Sequence, residues 1–157
     1  PNAVPLRMAR ALVNIAVGDN RELTLVDPCC GVGTVVIEAL DLGINVKGYE
    51  ISKPIAYNAR NNIEFLGYNR EIITSGDMHN INKVFDVAIV DIPYGLFSPV
   101  TLKEQMDIIN TSRRIARKLV IITFEDMDNL IISAGFKIIE KCYMIKGNMT
   151  RQISICE

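Results

Sequence analysis

Short apolar runs alternate with stretches of helical periodicity along the chain, and the alternation breaks only at the last two runs. Strands separated by helices pair most readily in parallel, so this pattern constrains the fold more than any other feature. A helix is expected over Pro5 to Ala16, with Leu6, Ala9, Leu12, Val13 and Ala16 on one face. Strands are expected at Thr24 to Asp27, Asn45 to Glu50, Glu71 to Ser75, Val84 to Asp91 and Lys118 to Phe124. Helices fall between them at about Thr34 to Leu42, Pro54 to Leu66, Leu102 to Ile115 and Asp126 to Ala134. Pro54 suits a first helical turn, where a missing N–H costs little, and Gly135 suits a C-cap. Two adjacent strands close the chain, Phe136 to Ile145 and Arg151 to Cys156, joined by the turn Lys146-Gly147-Asn148-Met149. That hairpin makes the last strand antiparallel in an otherwise parallel sheet. The 157 residues suit one α/β domain over 1–157, with no internal repeat or linker.

Open α/β sheets bind ligands at the C-terminal edge of their strands, and two strand ends here carry chemistry. The run Val87-Ala88-Ile89-Val90 leads into Asp91-Ile92-Pro93-Tyr94. This sets an acid, a free backbone carbonyl, a rigid proline and an aromatic ring side by side. A planar amino group on a base needs such a set. Asp91 and the Ile92 carbonyl can each accept one N–H, Tyr94 can stack on the ring, and Pro93 stiffens the loop. The chemistry favoured is in-line displacement of a methyl group by that nitrogen, with the acceptors localising its lone pair and stabilising developing positive charge. The plainer alternative is an ordinary proline turn.

The second set is Asp27-Pro28-Cys29-Cys30-Gly31-Val32-Gly33-Thr34, between the first strand and the next helix. Gly31 and Gly33 allow a sharp bend and close approach of a ligand. The following helix N-terminus can face a carboxylate, and Asp27 can bind an ammonium group directly or through water. Glu50 ends the second strand, where a carboxylate can accept both ribose hydroxyls of a nucleoside. Ile51 fits either an adenine face or the core. Asp77 can accept an adenine amino group while the Met78 backbone offers a donor; a turn aspartate is the bland alternative. His79, the only histidine, reads as a surface-loop residue rather than a catalyst. Cys29 and Cys30 read as small residues of a tight loop. The basic run Arg113-Arg114-Ile115-Ala116-Arg117-Lys118 reads as a helix end favoured by the dipole, with RNA contact by it or by Arg151 the less favoured reading.

Composition excludes several classes. Seventeen basic against eighteen acidic residues give a net charge of −1, which gives no support for non-specific nucleic-acid binding by this segment alone. No apolar run reaches the roughly 20 residues that span a bilayer, and no signal peptide is visible, so no membrane partner is expected. Cys29, Cys30, Cys142 and Cys156 show no CxxC spacing, so neither a zinc site nor a disulfide framework is indicated, and a reduced, cytoplasmic protein is expected. The start at Pro1 rather than methionine fits a fragment or a processed product, with room for upstream domains.

The two loops resemble those of the amino-methylating class I S-adenosylmethionine (SAM) methyltransferases. The similarity is strongest to the THUMP-associated tRNA and rRNA guanine-N2 methyltransferases. Their glycine loop typically reads Asp-Pro-Phe-Cys-Gly-Thr-Gly before an apolar helix with Ile-Glu-Ala, and Val36-Ile37-Glu38-Ala39 matches that continuation. Ala9-Arg10-Ala11-Leu12-Val13-Asn14 also resembles the segment before their catalytic core. The resemblance implies a Rossmann-like seven-stranded methyltransferase fold, mostly parallel with a C-terminal antiparallel hairpin and strand order three, two, one, four, five, seven, six. It implies SAM contacts at Asp27, Gly31, Gly33, Glu50 and Asp77, with S-adenosylhomocysteine as product, and target contacts at Asp91, Pro93 and Tyr94. It implies an RNA partner, tRNA or rRNA, reached with an additional RNA-binding domain or subunit. The family motif is Asp-Pro-Pro-Tyr; Ile92 replaces its first proline but keeps the backbone carbonyl. No THUMP segment is present. Methylation of DNA adenine or cytosine or of protein glutamine uses the same chemistry, and a non-catalytic SAM-binding module is a further alternative. A nicotinamide-dependent dehydrogenase is disfavoured by the missing third glycine of GxGxxG and by the hairpin. Target nucleotide, number of methyl groups and oligomeric state stay open.

Overall fold

In the computed structural model, seven strands form one sheet in the order three, two, one, four, five, seven, six. The structure describes residues 4–93, 100–146 and 149–157, Lys146 by its backbone alone. The strands are β1 (Thr24–Asp27), β2 (Asn45–Glu50), β3 (Ile73–Ser75), β4 (Phe85–Asp91), β5 (Ala116–Thr123), β6 (Ile138–Lys146) and β7 (Met149–Cys156). The first five pair in parallel, and β7 runs antiparallel to both β5 and β6. The fold class and strand order implied by the family resemblance are those observed.

The central strands are apolar on both faces because both are covered by helices. Val87 and Ile89 point to one face of β4, Ala88 and Val90 to the other, as the two-residue period requires. The first face packs against α1 (Leu6–Val17), α2 (Thr34–Asp41) and α3 (Lys53–Phe65). On α1, Ala9, Leu12, Val13, Ala16 and Val17 form the buried stripe. The second face packs against α4 (Leu102–Ile115) and the short α5 (Asp128–Ser133). A capping box starts α4: the Thr101 hydroxyl accepts from Glu104 N, and the Glu104 carboxylate accepts from Thr101 N. Among the described residues no helix is long and apolar enough to cross a membrane.

Several boundaries differ from expectation. Residues 71–72 belong to a 3-10 turn, Arg70–Ile72, in which the Asn69 side chain accepts from Glu71 N, so β3 is only Ile73–Ser75. The helix expected from Asp126 starts at Asp128, because the Asp126 carboxylate folds back to accept from Asp128 N. β7 begins at Met149 and β6 at Ile138; the turn residues Gly147 and Asn148 lie outside the described residues.

The basic run does not simply end a helix. α4 passes into β5 at Ala116 with no intervening loop, so Arg113 and Arg114 are helical while Arg117 and Lys118 are in the strand. Arg113 Nε donates to the Gly135 carbonyl at 3.1 Å, and Arg114 donates to the carbonyls of His79 and Ile81. Lys118 Nζ donates to Ile15 and Ala16 carbonyls, closing the C-terminus of α1. Three of the four cations are thus bound to backbone oxygens of this chain.

Candidate active site

The turn after β1 is clamped from two sides. Gly31 and Gly33 adopt positive φ (53° and 90°), a conformation that favours glycine, and Gly33 opens α2. Gly31 N donates to Glu50 Oε2 at 3.0 Å, and Ser52 N donates to Glu50 Oε1 at 2.8 Å. Cys30 N donates to the Tyr49 carbonyl at 2.9 Å. The buried Glu50 therefore ties the glycine turn to the end of β2 and retains lone pairs on both oxygens. Gly48 lies beneath this joint. A Cβ there would stand 2.6 Å from Ile73 Cδ1, 2.9 Å from Val36 Cγ2 and 3.1 Å from Cys30 Sγ, so any side chain there would have to push these groups aside where loop, α2 and β3 meet.

Asp27 is buried at the end of β1, with Oδ1 accepting from Cys29 N at 3.3 Å. Burial pushes its carboxyl up to about 7, opposed by the Cys29 N–H and reinforced by the negative charges of Asp91 and Glu50. Burial beside the same acids pushes the Cys29 and Cys30 thiols well above the usual range. These are inert thiols, as a tight-loop role requires.

Beyond β3, Asp77 starts a short 3-10 turn, Met78–Asn80. Its Oδ1 accepts from His79 N at 2.9 Å and lies 2.6 Å from His79 Nδ1; these contacts lower its carboxyl below the ordinary range. The turn-aspartate role is therefore filled, and Oδ2 has no partner among the described residues. His79 is a half-exposed surface residue held by Asp77. Met78 is buried, 3.7 Å from Cys29 Sγ through its sulfur. Ile51 is 70% exposed, which removes the core reading and leaves it on a cavity rim.

Two adjoining cavities open along this sheet edge. One of about 500 Å³ is bordered by Asp27, Gly31, Thr34, Ile55 and Asp91; the other, of about 250 Å³, by Glu50, Ile51, Met78, His79 and Pro93. Asp91 and Cys29 border both. The structure thus brings Asp27, Gly31, Glu50, Ile51, Met78, Asp91 and Pro93 to the border of these cavities, while Gly33, Asp77 and Ile92 are not part of their lining.

Asp91 ends β4. Its Oδ2 lies 3.3 Å from Arg151 Nη1, and its buried Oδ1 has no hydrogen-bond partner among the described residues. Burial pushes the Asp91 carboxyl up to about 6, and the Arg151 charge opposes the rise. Ile92 is buried, and its N–H donates to the Ile122 carbonyl at 3.1 Å, one rung beyond the β4–β5 pairing. A proline could not make that bond. The Pro93 carbonyl accepts from Gln105 Nε2 of α4 at 3.1 Å. The stiffness that a second proline would give is supplied here by a rung, a buried side chain and a glutamine. Tyr94 lies outside the described residues.

Known proteins extend this description. The model of the UPF0020 family, the RMKL-like methyltransferase domain, matches residues 2–143. The chain belongs to this family. A tRNA (guanine(10)-N2)-dimethyltransferase of Pyrococcus abyssi is 30% identical over 171 residues, covering 100% of this chain and 50% of the relative. The chain therefore spans about half the length of that curated relative. Among solved structures, magnesium protoporphyrin IX methyltransferase of Synechocystis PCC 6803 with bound SAM superposes with a TM-score of 0.81 at 18% identity, covering 96% of this chain and 78% of the other. TrmN from Thermus thermophilus superposes with a TM-score of 0.78 at 19% identity, covering 98% of this chain and 49% of the other. At these identities the superpositions carry the fold.

Within this RMKL-like domain, three residues bear on the site without having been singled out for it. Gly48 was legible only as one glycine in a strand, and Gln105 only as one polar residue of a helix. Arg151 was weighed for RNA contact, whereas it is 12% exposed and directed at Asp91. Its side chain also lies over the Phe124 ring at 4.7 Å. A largely buried arginine beside a largely buried acid shows no sequence spacing when a third strand lies between them.

Proposed function

We propose that this chain is the catalytic domain of a SAM-dependent N-methyltransferase acting on an exocyclic amino nitrogen of an RNA base, most specifically guanine N2 in tRNA or rRNA. The observation that carries the reading is Asp91: a largely buried carboxylate at a strand end, bordering both cavities, with one oxygen lacking a partner among the described residues. An acceptor without a donor is costly in a folded protein and suits a site whose donor arrives with the substrate.

The residues present fit SAM. The larger cavity sets the buried acid Asp27 beside space for a ligand, and a carboxylate there suits a cation. Asp27 would hold the ammonium group, the Gly31–Gly33 turn the amino-acid portion, and Glu50 the ribose hydroxyls. Ile51 would lie against the adenine face, with Asp77 and Met78 at its polar edge. When bound, SAM supplies an electrophilic methyl group on sulfur. Asp91 and the Ile92 carbonyl then orient the target nitrogen by accepting its N–H groups, and the carboxylate stabilises positive charge as it develops there. Pro93 fixes the spacing of these acceptors, and Tyr94 stacks on the base.

The RNA assignment is supported by the name of the Pyrococcus abyssi relative and by the acceptor set. The near-neutral charge of the chain argues that phosphate contacts come from a further domain or subunit. Four free thiols suit a reducing compartment, and we assign the domain to the cytoplasm. The test is transfer of a labelled methyl group from SAM to unmodified tRNA, rRNA and DNA, followed by nucleoside analysis, with the full-length gene product. Labelled N2-methylguanosine is the expected product; label on DNA or protein alone would overturn the RNA reading.

A further inference from the structure

The pair Arg151–Asp91 joins residues on strands that do not touch. β5 separates β4 from β7, and its pairing with β7 ends at Thr123 opposite Gln152. Arg151 is the next residue of β7 and lies just past that end. Its guanidinium passes over the Phe124 ring and reaches Asp91 Oδ2. Both side chains are largely buried, 12% and 22% exposed, so solvent screens the pair weakly.

Resting on the methyl-transfer reading, we infer that Arg151 is a positioning residue: it holds Asp91 as an anion through Oδ2 and leaves Oδ1 to accept an N–H of the target amine. The chemistry requires both halves. A protonated Asp91 would present a donor toward an amino group that itself donates, and the acceptor would be lost. A buried carboxylate without a cation tends to protonate, so the arginine keeps the acceptor available near neutral pH. Arginine suits the post because it stays charged and its planar group lies on an aromatic face. Its bond also takes one oxygen out of competition, so Asp91 accepts from the substrate through a single oxygen.

Other charged groups near Asp91 do not substitute for Arg151. Asp27 faces the same cavity from the end of β1 and is itself an acid; Glu50 and His79 lie across the smaller cavity, and Cys29 between them carries a neutral thiol.

The experiment is a carbon-13 NMR titration of the Asp91 carboxyl, assigned with Asp91→Asn, in the wild type, Arg151→Met and Arg151→Lys, without substrate. Expected is an upward displacement of the midpoint by about one pH unit in Arg151→Met, with Arg151→Lys between. Midpoints that coincide would overturn the inference. If Arg151→Met does not fold, the displacement in Arg151→Lys decides alone. A second readout is the pH–rate profile of methyl transfer. Arg151→Met should lose about fivefold near pH 6 and recover toward pH 9; a loss equal at every pH means a merely structural role. If no substrate accepts a methyl group, the functional reading fails, yet the titration still decides whether Arg151 governs Asp91.

Discussion

Asp27 and Asp91 stand at the ends of neighbouring strands, β1 and β4, the first buried and the second largely buried, yet they are held in different ways. Around Asp27 the backbone does the holding: Cys29 N donates to it, and the adjoining glycine turn is tied by Gly31 N and Ser52 N to Glu50. Around Asp91 side chains do it: Arg151 holds one oxygen, Ile92 is packed into the core, and Gln105 fixes the carbonyl of Pro93. Backbone N–H donors are common to any sequence that keeps the turn, with Glu50 here as their acceptor. Side-chain clamps vary with the sequence, and here a rung through Ile92 N stands where the related motif has a proline. We read the first end as the part that holds a constant ligand and the second as the part fitted to its target.

The sharpest way to break this comparison is at Asp91. Asp91→Ala should lower methyl transfer by a factor on the order of 10²–10³, the usual effect of losing an aligned electrostatic group. SAM affinity should stay nearly intact, and equal loss of binding and transfer would sink the role given to Asp91.

Asp27 should act on binding and, in the opposite sense, on stability. Its carboxyl in the folded protein lies at about 7, above the ordinary 3.8. The unliganded fold is therefore favoured at low pH, and that contribution is lost as pH rises through about 7. Asp27→Asn should raise the unliganded melting temperature at pH 8 by several degrees, reflecting an effect of a few kcal/mol, with little gain at pH 4. Melting curves at the two pH values check it; a variant no more stable at pH 8 contradicts the burial argument. By the same linkage, wild-type affinity for a cationic ligand should rise between pH 6 and 8, which calorimetry at matched ionic strength would show.

Gly48 tests the joint that serves the first end. Gly48→Ala should destabilise by about 1–3 kcal/mol, since its methyl group meets three side chains. Denaturant unfolding would detect this, and an unchanged midpoint would mean that Ile73 and Val36 make room. Ile92→Pro should have the smallest effect on stability, about 1 kcal/mol from the lost bond to Ile122. A loss of 3 kcal/mol or more, beyond roughly what one bond supplies, would mean that the buried Ile92 side chain matters more than the rung.

The alternation of apolar runs and helical periods was enough to read the sheet and its closing hairpin, because both follow from local pattern and turn chemistry. Asp27, Gly31, Gly33, Glu50 and Asp91 were legible for the same reason: each sits at a strand end or turn that local sequence marks. Arg151 was not, because its distance to Asp91 depends on β7 inserting between β5 and β6. Gly48 was not, because three elements crowd it only after folding. The basic run does end a helix at Arg113 and Arg114, but the carbonyls that its cations bind lie far away in sequence and leave no local signal.

The most direct test of this division of labour is calorimetric titration of SAM into the wild type, Asp27→Asn and Asp91→Ala at pH 8. Binding should be at least about tenfold weaker for Asp27→Asn, the loss of one charge-assisted contact, and little changed for Asp91→Ala. The reverse pattern, or equal losses in both variants, would contradict it.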